Sequence, residues 1–168
     1  MSMLSVLKNK MLPMNIYPEN NDNNYIEYRN AHDLSLSHRR GLILHLLYSL
    51  EMQDYQIDMP DLIYFYNIDY GIIIDHDDEL VTFVKDLVKN ISLLDEEIKK
   101  YLHNWQLERI SIIIKLILRY GIFELQEKKH DSKLIINEAV ELAKGYAEPD
   151  SFRLVNGVLD NYRKKNSL

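Results

Sequence analysis

Cysteine is absent from the 168 residues, which removes disulfides, thiolate nucleophiles and cysteine-ligated metal from consideration and fits a reducing, cytoplasmic setting. No apolar run approaches the ~20 residues that a membrane-spanning helix needs. The Met- and Leu-bearing N-terminus has no small-residue cleavage site of the signal-peptide kind. There is no Gly-rich phosphate loop and no nucleophile elbow. The six histidines (His32, His38, His45, His76, His103, His130) are dispersed without paired ligand spacing, so no metal site is expected. His76-Asp77-Asp78-Glu79 reads as the acidic opening of a helix rather than as a ligand cluster.

Positive charge is missing in one long stretch. From Gly41 to Val84 there is no Lys or Arg, against nine acidic residues, whereas from Lys128 onward eight basic residues face six acidic ones. With a total of −6, the chain is not a general polyanion binder, and any nucleic-acid contact has to be local. Asn90-Ile91-Ser92 matches a glycosylation pattern by chance, inside a strongly helical stretch.

What is present is a core, 46% of the residues being hydrophobic, arranged mostly at helical spacing. Residues 1–35, with Pro13, Pro18 and the run Asn20 to Asn24, read as a poorly ordered extension. Ser35 or Ser37 caps the next helix, whose apolar stripe is Ile43, Leu46, Leu47 and Leu50, with Gly41, His45 and Ser49 opposite. From Gln53 to Asp75, Pro60 opens a short helix and Ile72-Ile73-Ile74 has strand propensity; a lone strand is unstable, so a loop is expected there. Leu80, Phe83, Val84, Leu87, Val88 and Ile91 keep helical spacing. After a break at Ser92 it continues through Leu94, Ile98, Tyr101, Leu102 and Trp105.

Ile110, Ile113, Ile114 and Ile117 mark a central helix with a narrow polar stripe of Glu108, Ser111, Lys115 and Arg119, and Gly121 permits a kink. Ile136, Ala139, Val140 and Ala143 form another face, ended by Gly-Tyr-Ala-Glu-Pro-Asp-Ser. Phe152, Val155, Leu159 and Tyr162 form the last. The expected fold class is all-α: about seven helices in two small antiparallel bundles, 36–103 and 104–164, with 165–168 as a C-terminal tail.

Two segments carry a resemblance. HNWQLERISIIIKLILRYGIFEL, from His103 to Leu125, contains Trp-x-Leu-Glu-Arg-Ile, Ile-Leu-Arg and Phe-Glu-Leu; INEAVELAKGYAEPDSFRLVNGVLD, from Ile136 to Asp160, follows at the right spacing. Together with Arg39-Arg40 and Leu47-Tyr48 they resemble the NusB family of bacterial transcription antitermination factors. The resemblance implies binding of boxA RNA together with the ribosomal small-subunit protein NusE within the transcription elongation complex, with no catalysis and no cofactor. Some members form homodimers. A related RNA cytosine methyltransferase would need a long catalytic domain and a nucleophilic cysteine, so that less favoured alternative holds only if these 168 residues are its detached RNA-binding domain.

By the same resemblance Arg39, Arg40, Tyr48, Asp150, Ser151 and Arg153 are assigned to RNA, the two arginines at a helix start where guanidinium and free N–H groups meet phosphate. Tyr48, Lys115 and Arg119 are assigned to the partner protein. Asp150 and Ser151 also cap the last helix. Gly157 is expected to allow close helix packing, and Asn137 and Glu138 to open their helix. Three departures stand out, one being Ile114 before Lys115 where the family often has an acidic or polar residue, which weakens a polar contact to NusE. The first helix has lost most of the family's basic residues, and Leu154 replaces the common Phe, so an aromatic ring for stacking is missing there.

Overall fold

The computed structural model describes residues 29–103 and 105–168. Seven α-helices occur among them, as the sequence predicts: α1 (Leu36–Glu51), α2 (Met59–Asp69), α3 (Glu79–Lys89), α4 (Ile91–Lys99), α5 (Ile112–Glu127), α6 (Ser132–Tyr146) and α7 (Ser151–Lys165). The chain forms two compact units, one ending at Asp86 and one running from Leu87 to Leu168. The sequence had suggested a boundary near 103. The cut falls earlier because α4 packs on α5, and Arg119 of α5 grips Asp95 of α4 through Nε–Oδ1 at 2.7 Å and Nη2–Oδ2 at 2.9 Å.

In the first unit Ser35 is the α1 cap, its hydroxyl accepting the His38 amide at 3.3 Å. The stripe Ile43, Leu46, Leu47 and Leu50 is buried. The opposite side is buried as well, His45 and Ser49 being at most 5% exposed, and so is Arg40 near the helix start, at 2%. Helical spacing reports where apolar groups recur, but a helix covered on all sides also encloses its polar residues, which must then be satisfied internally. Ser49 Oγ lies 3.0 Å from Tyr66 Oη of α2. Burial raises the Tyr66 phenol pKa well above the usual 10, and the Ser49 hydrogen bond offsets this only in part.

The strand propensity of Ile72-Ile73 is realised. These residues form β2, paired in parallel with β1 (Arg29–Asn30). The partner came from the segment read as a disordered extension, which is why an isolated-strand argument missed it. Beyond β1, Ala31 is fully buried, in a 3-10 turn over Ala31–Asp33. The remainder of the expected extension, residues 1–28, lies outside the described residues. Asp78 opens α3: its Oδ1 accepts the Leu80 amide at 2.8 Å and pairs with Arg39 at 2.7 Å. The acidic run His76 to Glu79 is therefore a helix start, as expected, and no metal-ligating group of three or more side chains is found among the described residues.

In the second unit α5, α6 and α7 pack on one another. Four-residue loops, 128–131 and 147–150, join them, so consecutive helices run antiparallel. Leu116, Ile117, Leu118 and Ile122 of α5 are fully enclosed, which makes α5 the centre of this unit. Asp131 caps α6 by accepting the Lys133 and Leu134 amides. Asn137 and Glu138 are accordingly inside α6 rather than at its opening. α7 runs to Lys165, and the residues beyond it turn back, with the Leu168 amide donating to the Arg163 carbonyl at 3.0 Å.

The close packing expected at Gly157 falls at Gly121 instead. α5 continues through Gly121 without a break, and there an added Cβ would meet Leu159 Cδ1 at 2.8 Å, so this is a point of close approach between α5 and α7. At Gly157 an added Cβ meets nothing within 4 Å. Gly157→Ala should therefore stabilise by about 0.5–1 kcal/mol through helix propensity. Gly121→Ala should lose that gain, and about 1 kcal/mol more, to overpacking against Leu159. Equilibrium denaturation of both variants checks the pair; equal stability would contradict the assignment.

A second expectation concerns high pH. Burial pushes the Tyr146 phenol up to about 12, and Tyr66 is raised as well. Both favour the protonated form in the folded state. Their contribution is thus fully present below the unfolded value near 10 and is lost as pH rises through the folded values. Thermal melts should be level up to about pH 10 and fall beyond it, with tyrosinate absorbance lagging that of unfolded chain; coincident titration of both would contradict this.

Candidate functional site

The turn between α6 and α7 has a definite geometry that its residues explain. The Glu148 carbonyl accepts the Ser151 amide at 3.1 Å. Between them stand Pro149 and then Asp150 in a left-handed conformation, φ 69° and ψ −8°. Pro at the second turn position and positive φ at the third is the type II pattern. Asp tolerates it better than most residues, though less well than Gly.

The Asp150 side chain does not cap α7 as the sequence suggested; it pairs instead with Arg153 at 3.2 Å, both groups being largely exposed. An exposed pair of this kind contributes little to stability, which leaves Arg153 exchangeable. The Glu148 carboxylate sits between two hydroxyls, Ser111 Oγ at 3.4 Å and Ser151 Oγ at 3.5 Å. One belongs to the N-cap of α5 and the other to the first residue of α7.

Beside this turn lies a groove of about 640 Å³, lined by Trp105, Arg109, Ile110, Ser111, Ile114, Glu148, Pro149, Asp150, Ser151, Arg153 and Leu154. Its floor is aliphatic (Ile110, Ile114, Leu154), and its rim carries two guanidinium groups and two carboxylates. Phe152 lies next to the groove, with Lys144 Nζ 5.5 Å and Arg153 Cζ 5.8 Å from its ring centroid, within the range of cation–π attraction.

Of the residues singled out from sequence, the structure brings Asp150, Ser151 and Arg153 together at this groove. The others do not join them there. Arg39 donates to the Ala31 carbonyl at 3.0 Å and is paired with Asp78; Arg40 is 2% exposed. The reading of both as an exposed phosphate-binding pair is corrected, because both guanidinium groups serve the interior of the first unit. Tyr48 is half-buried. On α5, Lys115 is half-exposed, but Arg119 is buried against Asp95. It is thus a structural arginine rather than a surface group offered to a partner.

Trp105 was missed in the opposite sense. Read as the end of an apolar stripe, it is 56% exposed, because α4 stops at Lys99 and the chain beyond no longer follows helical spacing. Arg109, Ser111 and Glu148 were also overlooked as site residues. The available signal was that the single tryptophan is set in a polar stretch, His103-Asn104-Trp105-Gln106, two residues before Glu108-Arg109.

Comparison with known proteins follows the same segments. A model of the NusB family matches residues 37–164. The curated transcription antitermination protein NusB of Leptospira biflexa is 37% identical over 137 residues, covering 80% of this chain and 96% of the relative. The protein of that name from Staphylococcus carnosus is 37% identical over 129 residues, covering 76% and 98%. Among solved structures, T. maritima NusB superposes with a TM-score of 0.67 at 26% identity, covering 79% of this chain and 92% of that one.

Proposed function

This chain belongs to the NusB family, and from that premise we propose that it is a transcription antitermination factor that binds boxA-type RNA jointly with the ribosomal protein NusE in the elongation complex. The observation that carries the RNA reading is the turn at the start of α7. It presents Asp150, Ser151 and Arg153 beside an open groove, at the positions the family resemblance assigns to RNA. Arg153 is 75% exposed at its side chain and only weakly held by Asp150, so it can exchange that carboxylate for a phosphate at little cost. The charge pattern supports the same reading, since the chain beyond Lys128 is the net-positive part.

The engagement of Arg39 and Arg40 in the interior favours a second reading, in which RNA binding is weakened and contacts with protein dominate. Filter binding of boxA RNA and a scrambled control, each with and without NusE, separates the two. The first reading expects preference for boxA, strengthened by NusE. With few cations left for phosphate, its salt dependence should be shallow, a slope of about −2 on logarithmic axes. Equal, strongly salt-labile binding of both RNAs would reject it. Arg153→Ala should weaken boxA binding without shifting the melting temperature; unchanged affinity would return Arg153 to the solvated surface.

A further inference from the structure

We propose that the groove at the start of α7 receives an unpaired nucleobase stacked on Trp105, which supplies the aromatic face that Leu154 does not provide. The proposal rests on the RNA reading above and adds a residue and a chemical class to it. A large ring left 56% exposed on the wall of a groove is the kind of surface that marks a binding site, since scattered exposed apolar residues are ordinary but an exposed tryptophan facing a concave space with cations is not.

The groove's make-up selects the base rather than the backbone. Arg109 and Arg153 are balanced by Glu148 and Asp150, so the groove has no net charge to draw a run of phosphates. It offers instead a ring for stacking, an aliphatic floor and carboxylate acceptors for exocyclic amino groups of a base edge. Glu148 lies between the hydroxyls of Ser111 and Ser151, at 3.4 and 3.5 Å, long contacts that leave its carboxylate able to accept from a ligand. A volume of about 640 Å³ lies within the usual range of small-ligand pockets. The two arginines at the rim can meet the single phosphate flanking a stacked base.

Trp105 is the only tryptophan in the chain, so its emission reports on this groove alone. End-labelled single-stranded boxA RNA is titrated into the full-length protein by anisotropy, in parallel with unlabelled RNA followed by tryptophan emission. The two curves should coincide, with emission quenched on binding. Trp105→Ala should weaken binding by about 5- to 150-fold, the range for loss of one stacked base, while Trp105→Phe keeps most of the affinity. RNA that binds by anisotropy with unchanged emission, and with equal affinity for Trp105→Ala, would overturn the groove assignment and leave the RNA reading standing. Absence of any binding by the unaltered protein would overturn both. Should Trp105→Ala fail to fold, the emission of the unaltered protein decides.

Discussion

Asp95→Ala should lower the melting temperature by about 6–12 °C, the equivalent of about 3 kcal/mol in a chain of this size. Arg119 is 6% exposed, and its guanidinium reaches Asp95 in two parallel bonds. The charge is buried whether or not the carboxylate is there to meet it, so removing Asp95 takes away the counter-charge that offsets its desolvation. Asp95 retains partial exposure, 22% at its side chain, which places the effect at the lower end of the range for broken buried pairs.

Replacing both partners by apolar residues, Arg119→Met with Asp95→Leu, should restore most of the loss, because the cost is that of a buried charge deprived of its carboxylate and not of a missing contact. Denaturant unfolding of the single and double variants checks this. If the double variant is destabilised as much as Asp95→Ala, the pair contributes by attraction and the reasoning fails. The outcome also bears on function: an arginine whose loss is felt in stability is not a free surface group for a partner.

Arg39→Ala is expected to cost about 2–3 kcal/mol, again far more than loss of an exposed cation. Its guanidinium joins the Ala31 carbonyl to the Asp78 carboxylate, the latter 5% exposed and simultaneously holding the Leu80 amide at the opening of α3. Without Arg39, Asp78 keeps the cap but loses its counter-charge, and residue 31 loses its tether. Amide exchange should accelerate at Arg29, whose N–H donates to the Gly71 carbonyl at 2.9 Å, while boxA affinity changes little. A variant that melts like the unaltered protein but binds RNA poorly would reinstate Arg39 as a phosphate contact.

The helical frame was legible because it rests on local periodicity. Six apolar stripes and the helix-opening Pro60 gave the seven helices, and of the two serines offered as a cap Ser35 is the one used. What escaped depends on contacts distant in sequence. Nothing local to Ile72-Ile73 reveals that Arg29-Asn30 completes the pair. Nothing local to Gly121 reveals Leu159 against it, so a residue that permits a kink turned out to permit an approach. Arg119 carries charge in a position that periodicity assigns to a polar stripe and Arg40 stands near a helix start, yet α1 and α5 are enclosed by their surroundings and both arginines went inside. Trp105 went outside for the converse reason, the helix ending before it. At the candidate site, Asp150, Ser151 and Arg153 came from the family resemblance, and they lie together because they share one turn. The groove's other wall, at Trp105 and Arg109, comes from a segment some 40 residues earlier.

Read-through of a terminator is the most direct measurement of the proposed activity. Templates carrying boxA or its scrambled counterpart upstream of the terminator are transcribed in the presence of NusE and the elongation machinery, with and without this protein. Addition of the protein should raise read-through on the boxA template only, and Trp105→Ala and Arg153→Ala should each reduce that gain. Equal read-through on both templates, or none on either while boxA RNA is bound, would contradict an antitermination factor acting through this groove.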